Sequence, residues 1–245
     1  MATKTQSVMD GVLAGLDLDS IVKTSLHRAG APTKQPKQVV SESYVATPKD
    51  YGQVSELVSA KTKAAHKDLY AGYVEALNRT SAELDTVDRA NAGSTKSAFR
   101  DLKLTEAYSA NAVWLHELYF ANCFDPHSEI YMDTKSYMRL ERDWGTFKDW
   151  QRDFMACALS TREGWAVMGY STYLKRYINT MIDEHSGGVT LGLYPIIVID
   201  MWSHAYYRDY LTDKQSFLVS QMRELNWDTI EERFVKAEKI AEALK

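Results

Sequence analysis

A chain of 245 residues, 45% of them hydrophobic, can bury a sizeable core in one domain or two small ones. A formal net charge of -4 gives no general affinity for nucleic acid, and no apolar run approaches the length of a membrane span. Two cysteines, Cys123 and Cys157, make no disulfide framework, so a reducing, cytoplasmic setting is expected.

Residues 1–43 read as an N-terminal arm. Val8, Met9, Val12, Leu13, Leu16, Ile21, Val22 and Leu26 recur at helical spacing, Asp19 or Ser20 is placed to cap a second short helix, and Gly30 to Lys37 is linker-like. Asp10, Asp17 and Asp19, with no basic stretch leading into an apolar one, speak against a secretion or transit signal. Such an arm is either a poorly ordered tail or a segment that lays its apolar stripe on a partner. Residues 79 to 104 are polar and helix-compatible with a break at Ala92-Gly93-Ser94, which predicts the return leg of a helical hairpin. Phe124-Asp125-Pro126 is a turn signal and places a boundary between residues 44–124 and 125–245. Residues 136 to 162 carry two helical patterns about Trp144-Gly145-Thr146-Phe147. Two β-type runs follow, GWAVMGYS and YLKRYINTMI, and the chain closes on a turn at Asn226-Trp227 and an amphipathic helix.

The informative stretch is Tyr194 to Tyr210. Pro195-Ile196-Ile197-Val198-Ile199 suits a central strand buried on both faces. It ends on Asp200, with His204 four residues on. A carboxylate and an imidazole at the end of a buried strand are costly to desolvate unless they have strong partners, either a metal ion or each other.

The string of Asp200, Trp202, His204, Ala205, Tyr206, Tyr207, Asp209 and Tyr210 resembles the C-terminal signature of the iron/manganese superoxide dismutases. The likeness starts at Tyr44 and runs through the rest of the chain. On it, Thr62 and His66 match the segment holding the first metal ligand, and Tyr70 to Asn78 matches the segment holding the gateway tyrosine, Tyr73. His66 and Tyr73 are seven residues apart where the family usually keeps eight. Ala107 to Cys123 is similar to the second ligand helix and makes His116 a ligand, with Phe120 where a tryptophan is common.

The resemblance implies an α+β fold, in which a helical hairpin domain carries His66 and His116 and a C-terminal α/β domain with a small three-stranded antiparallel sheet carries Asp200 and His204. These four would bind one iron or manganese ion and catalyse the disproportionation of superoxide. Tyr73 and His185 would be the proton-handling residues, His185 taking a place usually held by glutamine because the helix alternative is the small Ala112. Trp114, Trp165, Trp202 and Tyr207 would surround the metal, and Lys214 would stand at the substrate funnel. Of six histidines, His27 and His127 have no such role. The chain departs from the family's dimer contact, with Ser203 in place of a glutamate and Leu69 in place of the histidine that would pair with Tyr207. The expected partners are therefore superoxide and other subunits, in a homo-oligomer or a larger assembly with the usual dimer left open, and neither nucleic acid nor membrane. A second reading keeps the fold as a structural subunit of a virion or ribosome-like particle, with the metal site retained or vestigial.

Overall fold

The computed structural model describes residues 45–50, 57–123 and 125–245, so the arm with its two helical stretches, its linker and His27 lies outside the described residues. Helix α1, Ala60–Thr86, starts where Ser59 accepts a hydrogen bond from the Thr62 amide at 3.3 Å. His66, Tyr70, Val74 and Leu77 then form one buried stripe at helical spacing. The return helix α2, Ala98–Cys123, is capped by Ser97 and buries Ala112, His116, Tyr119, Phe120 and Cys123 on its matching face. Contacts of Tyr70 with Phe120 and of Tyr73 with Tyr108 run in opposite directions along the two helices, which makes the pair an antiparallel hairpin. The return leg starts later than its sequence suggested, at Ala98, because residues through Thr86 belong to the outbound helix.

Helices α3, Lys135–Trp144, and α4, Phe147–Ser160, are separated by Gly145 at φ 89° and by the capping Thr146, whose hydroxyl accepts from the Asp149 amide at 3.0 Å. Three strands follow, β1 (Gly164–Ser171), β2 (Arg176–Asp183) and β3 (Leu193–Asp200), all antiparallel in the order β2-β1-β3. The middle strand is thus β1, buried at every position, and the Pro195–Ile199 run lies on an edge. That edge is nonetheless buried. Asn122 of α2 accepts from the Val198 amide at 3.0 Å, and Arg233 donates to the Ile196 carbonyl at 2.9 Å, so side chains occupy positions a fourth strand would have filled. Pro195, with no amide proton, stands at the register shift opposite Gly169, where the ladder is already broken.

Three helices close the fold: α5 (Ser203–Tyr210), α6 (Lys214–Arg223) and α7 (Trp227–Ala243). Asp209 accepts from the Ser59 amide at 2.8 Å and the Tyr210 hydroxyl donates to the Leu57 carbonyl at 2.8 Å, which ties α5 to the start of α1. Residues Ser43–Lys245 form one compact unit whose core runs without interruption from the hairpin into the sheet. No described helix is long and apolar enough to cross a membrane.

Candidate metal centre

His66 and His116 face each other across the hairpin with ring centroids 5.2 Å apart. Asp200 closes β3, and His204 sits in the first turn of α5, four residues further on. One ligand atom from each lies within 4.8 Å of every other, so the structure brings all four expected ligands together. The focus is Oδ2 of Asp200, 3.0 Å from Nε2 of His66, 3.2 Å from Nε2 of His204 and 4.0 Å from Nε2 of His116.

Hydrogen bonds alone could account for His66 and His204, each donating to the carboxylate. They cannot account for His116. Its Nδ1 lies 2.6 Å from the Ala112 carbonyl, which only accepts, so Nδ1 carries the proton and Nε2 keeps a bare lone pair. That Nε2 is fully buried, has no hydrogen-bond partner and faces a carboxylate oxygen. A lone pair and an anion pointed at one another out of water repel unless a cation lies between them. Three neutral imidazoles and one carboxylate suit iron or manganese, so the residues fit such an ion.

The electrostatics of the protein without its ion agree. Burial pushes His116 down to about 3, with the neighbouring His66 adding to the effect, and burial also lowers His66 despite its bond to Asp200. His204 moves the other way. Burial would lower it, but its side chain is 28% exposed and the Asp200 charge prevails. Asp200 is fully buried, yet its two histidine partners hold it well below the usual carboxylate range. Its Oδ1 accepts from the Trp202 amide at 2.8 Å, which fixes the carboxylate plane.

His185 is fully buried beside the ligands, its ring 5.9 Å from that of His116. Its Nδ1 accepts the Trp165 indole N–H at 2.9 Å, which leaves the ring proton on Nε2, buried and without an acceptor. Burial lowers its pKa to about 4. Tyr73 stacks edge-on against His185 at 4.9 Å and lies 5.5 Å from His116, and burial pushes its phenol up to about 12. Trp202 lies over both His185 and His204, and Phe120 over His66.

Other expected residues stand elsewhere. Trp114 points away from the ligands, is 45% exposed and lines a separate cavity of about 600 Å3 with Lys49 and Glu117. Tyr207 is 54% exposed and lines an open depression with Ser203 and His204. The Lys214 ammonium donates to the carbonyls of Thr161 and of Arg162, the latter at 3.1 Å, and burial lowers its pKa. His127 is exposed, 3.9 Å from Glu224.

Three contributors were not foreseen. Tyr108 packs on His185 at 4.7 Å, beside Tyr73. Asn111 donates to the His185 carbonyl at 2.8 Å and so holds its loop. Glu163 accepts from the Ser203 amide at 2.8 Å at the start of α5, which has no side-chain cap of its own. Tyr108, Ala112 and His116 fall at i, i+4 and i+8 on one helix face, a spacing that would have exposed the first of them.

Comparison with known proteins gives the same direction. The family model for iron/manganese superoxide dismutases, C-terminal domain, matches residues 133–233. An iron superoxide dismutase from Aquifex aeolicus is 34% identical over 179 residues, covering 72% of this chain and 83% of that protein. A manganese superoxide dismutase from Haloarcula marismortui is 28% identical over 192 residues, covering 78% of this chain and 92% of that protein.

Proposed function

The chain belongs to the iron/manganese superoxide dismutases, and from that premise we propose that it converts two superoxide ions and two protons to dioxygen and hydrogen peroxide. His66, His116, Asp200 and His204 would hold one iron or manganese ion. Bound there, the ion supplies a one-electron couple through which one superoxide leaves as dioxygen and the next as peroxide. The observation that carries this reading is the bare, buried Nε2 of His116 facing Asp200, a pair that makes chemical sense around a cation.

The protein's own residues hold the donors in place and manage protons. The Ala112 carbonyl fixes the His116 tautomer, and the Trp202 amide fixes the carboxylate. Trp165 keeps the proton of His185 on Nε2, where it can be given as a hydrogen bond to a substrate oxygen. Tyr73 remains a protonated phenol at neutral pH and serves as a second donor beside it. Trp165, Phe120 and Tyr70 exclude bulk water from the ligands, which strengthens each of these interactions.

The proposal extends to self-association, with the usual dimer left open because Ser203 offers no carboxylate and Leu69 no imidazole to a partner subunit. The structural-subunit reading finds no supporting observation among the described residues. Metal analysis and a superoxide-removal assay on the purified chain, with His116→Ala alongside, test the assignment. About one iron or manganese per chain is expected, with activity that falls to background in His116→Ala. Undiminished removal by the variant, or a wild-type chain that takes up neither metal, would overturn it.

A further inference from the structure

Away from the metal centre, α3, α7 and the turn between β1 and β2 border an open cleft of about 540 Å3, within the range of small-molecule sites. Six cations line it: Lys135, Arg139 and Arg142 from α3, Lys175 from the turn, and Lys239 and Lys245 from α7 and the residues after it. The lining carboxylates are Glu238 and Glu242, and Glu238 is already engaged by Arg139 and, at 2.5 Å, by the Tyr177 hydroxyl. In a chain whose formal net charge is -4, this is a local reversal of sign.

One buried donor in the cleft has nothing to donate to. Nε of Arg139 is buried without an acceptor, although the same guanidinium holds Glu238. Tyr170 contributes a hydroxyl to the lining. Buried donors are normally paired, so the Arg139 N–H asks for an acceptor that the chain does not supply. The surroundings are held firm. The Arg142 guanidinium is bound to Asp143 at 2.6 Å and lies 5.9 Å from the centre of the Tyr177 ring, and Lys175 reaches the Leu244 carbonyl at 2.9 Å, fastening the end of α7 to the turn.

Surplus positive charge, a guanidinium with a free N–H and a hydroxyl on one wall match a ligand with several anionic oxygens, and a volume of about 540 Å3 suits a small molecule. We propose that this cleft binds a small polyphosphate anion, either inorganic or carried by a nucleotide, through Arg139, Tyr170 and the surrounding lysines. The site is separate from the redox centre. Trp165 pairs with Asp200 and Tyr170 with Tyr194, so Tyr170 lies five residues along β1 from the ligand end, about 17 Å at strand rise.

Calorimetric titration of the full-length, metal-loaded protein with tripolyphosphate and with ATP tests the assignment. Saturable binding of tripolyphosphate is expected, weaker at physiological than at low ionic strength. Equal affinity for ATP would identify the phosphate chain as the recognised part, and tighter binding of ATP would add the nucleoside. Lys239→Glu and Arg139→Gln should each weaken binding by roughly tenfold or more, with superoxide removal unchanged. Arg139 also joins α3 to α7, so the exposed Lys239 gives the charge effect free of any packing change. No saturable binding of either anion, unchanged affinity in Lys239→Glu, or binding only of long acidic polymers such as single-stranded DNA would overturn the proposal.

Discussion

Trp165 donates its indole N–H to Nδ1 of His185 at 2.9 Å, and this one bond decides which nitrogen of a buried imidazole carries the proton. Replacing the indole by a phenyl ring keeps an aromatic in the core at the cost of a small cavity, and frees the imidazole to take either tautomer. In the wrong one, Nε2 would present a lone pair where the proposed reaction calls for a donor. Trp165→Phe should therefore lower turnover by about tenfold to a hundredfold, the usual range for removing an outer hydrogen bond of a metal centre. Metal content should change little, since Trp165 touches no ligand through a polar atom. Steady-state kinetics and metal analysis of the same preparation check this, and a variant with full turnover would mean that the bond has no part in proton handling.

Strand β1 is the element on which the centre is aligned. Its first residue, Gly164, lies where a Cβ would come within 2.0 Å of the Ile182 carbonyl oxygen, and its own carbonyl accepts from the Met201 amide at 2.8 Å, next to Asp200. An alanine there must push β1 away from β2 and take Trp165 with it. Gly164→Ala should destabilise the fold by roughly 1–3 kcal/mol, as overpacked core substitutions do, and should weaken metal retention as well. Thermal unfolding with and without metal would read both effects, and a variant of unchanged stability would refute the argument. Elements also mark what the sequence could tell. The candidate ligands were legible because Asp200 and His204 fall in one short string and His66 and His116 in helices whose buried residues recur at helical spacing. The order of the strands was not, because a run buried on both faces reads as central whether a strand or side chains such as Asn122 and Arg233 cover its outer edge. Trp114 was misplaced for a related reason. It is two residues before His116, which turns it to another side of α2.

At the scale of the whole molecule, the hairpin and the sheet are held together around four polar groups that water does not reach freely, and their protonation is coupled to folding. For the metal-free protein the sign can be worked out. In the unfolded chain His116 titrates near 6.5, and in the fold near 3, so between those values the unfolded state binds a proton that the folded state refuses. Its contribution is present above about 6.5 and is lost as pH falls toward 3. His66 acts in the same direction, and so does Asp200 at lower pH, where the unfolded carboxylate protonates first. His204, raised by Asp200, acts in the opposite direction but is the one ligand in partial contact with solvent, where its effect is screened. The balance predicts that metal-free protein loses on the order of a few kcal/mol between pH 7.5 and pH 4.5. Bound metal should hold the ligands deprotonated and delay the loss until protons displace it. Denaturant titrations at several pH values on chelator-treated and metal-loaded protein would measure both curves. Equal stability of the metal-free form across that range would show that the imidazoles are not held neutral by burial, and the case for a cation between His116 and Asp200 would weaken with it.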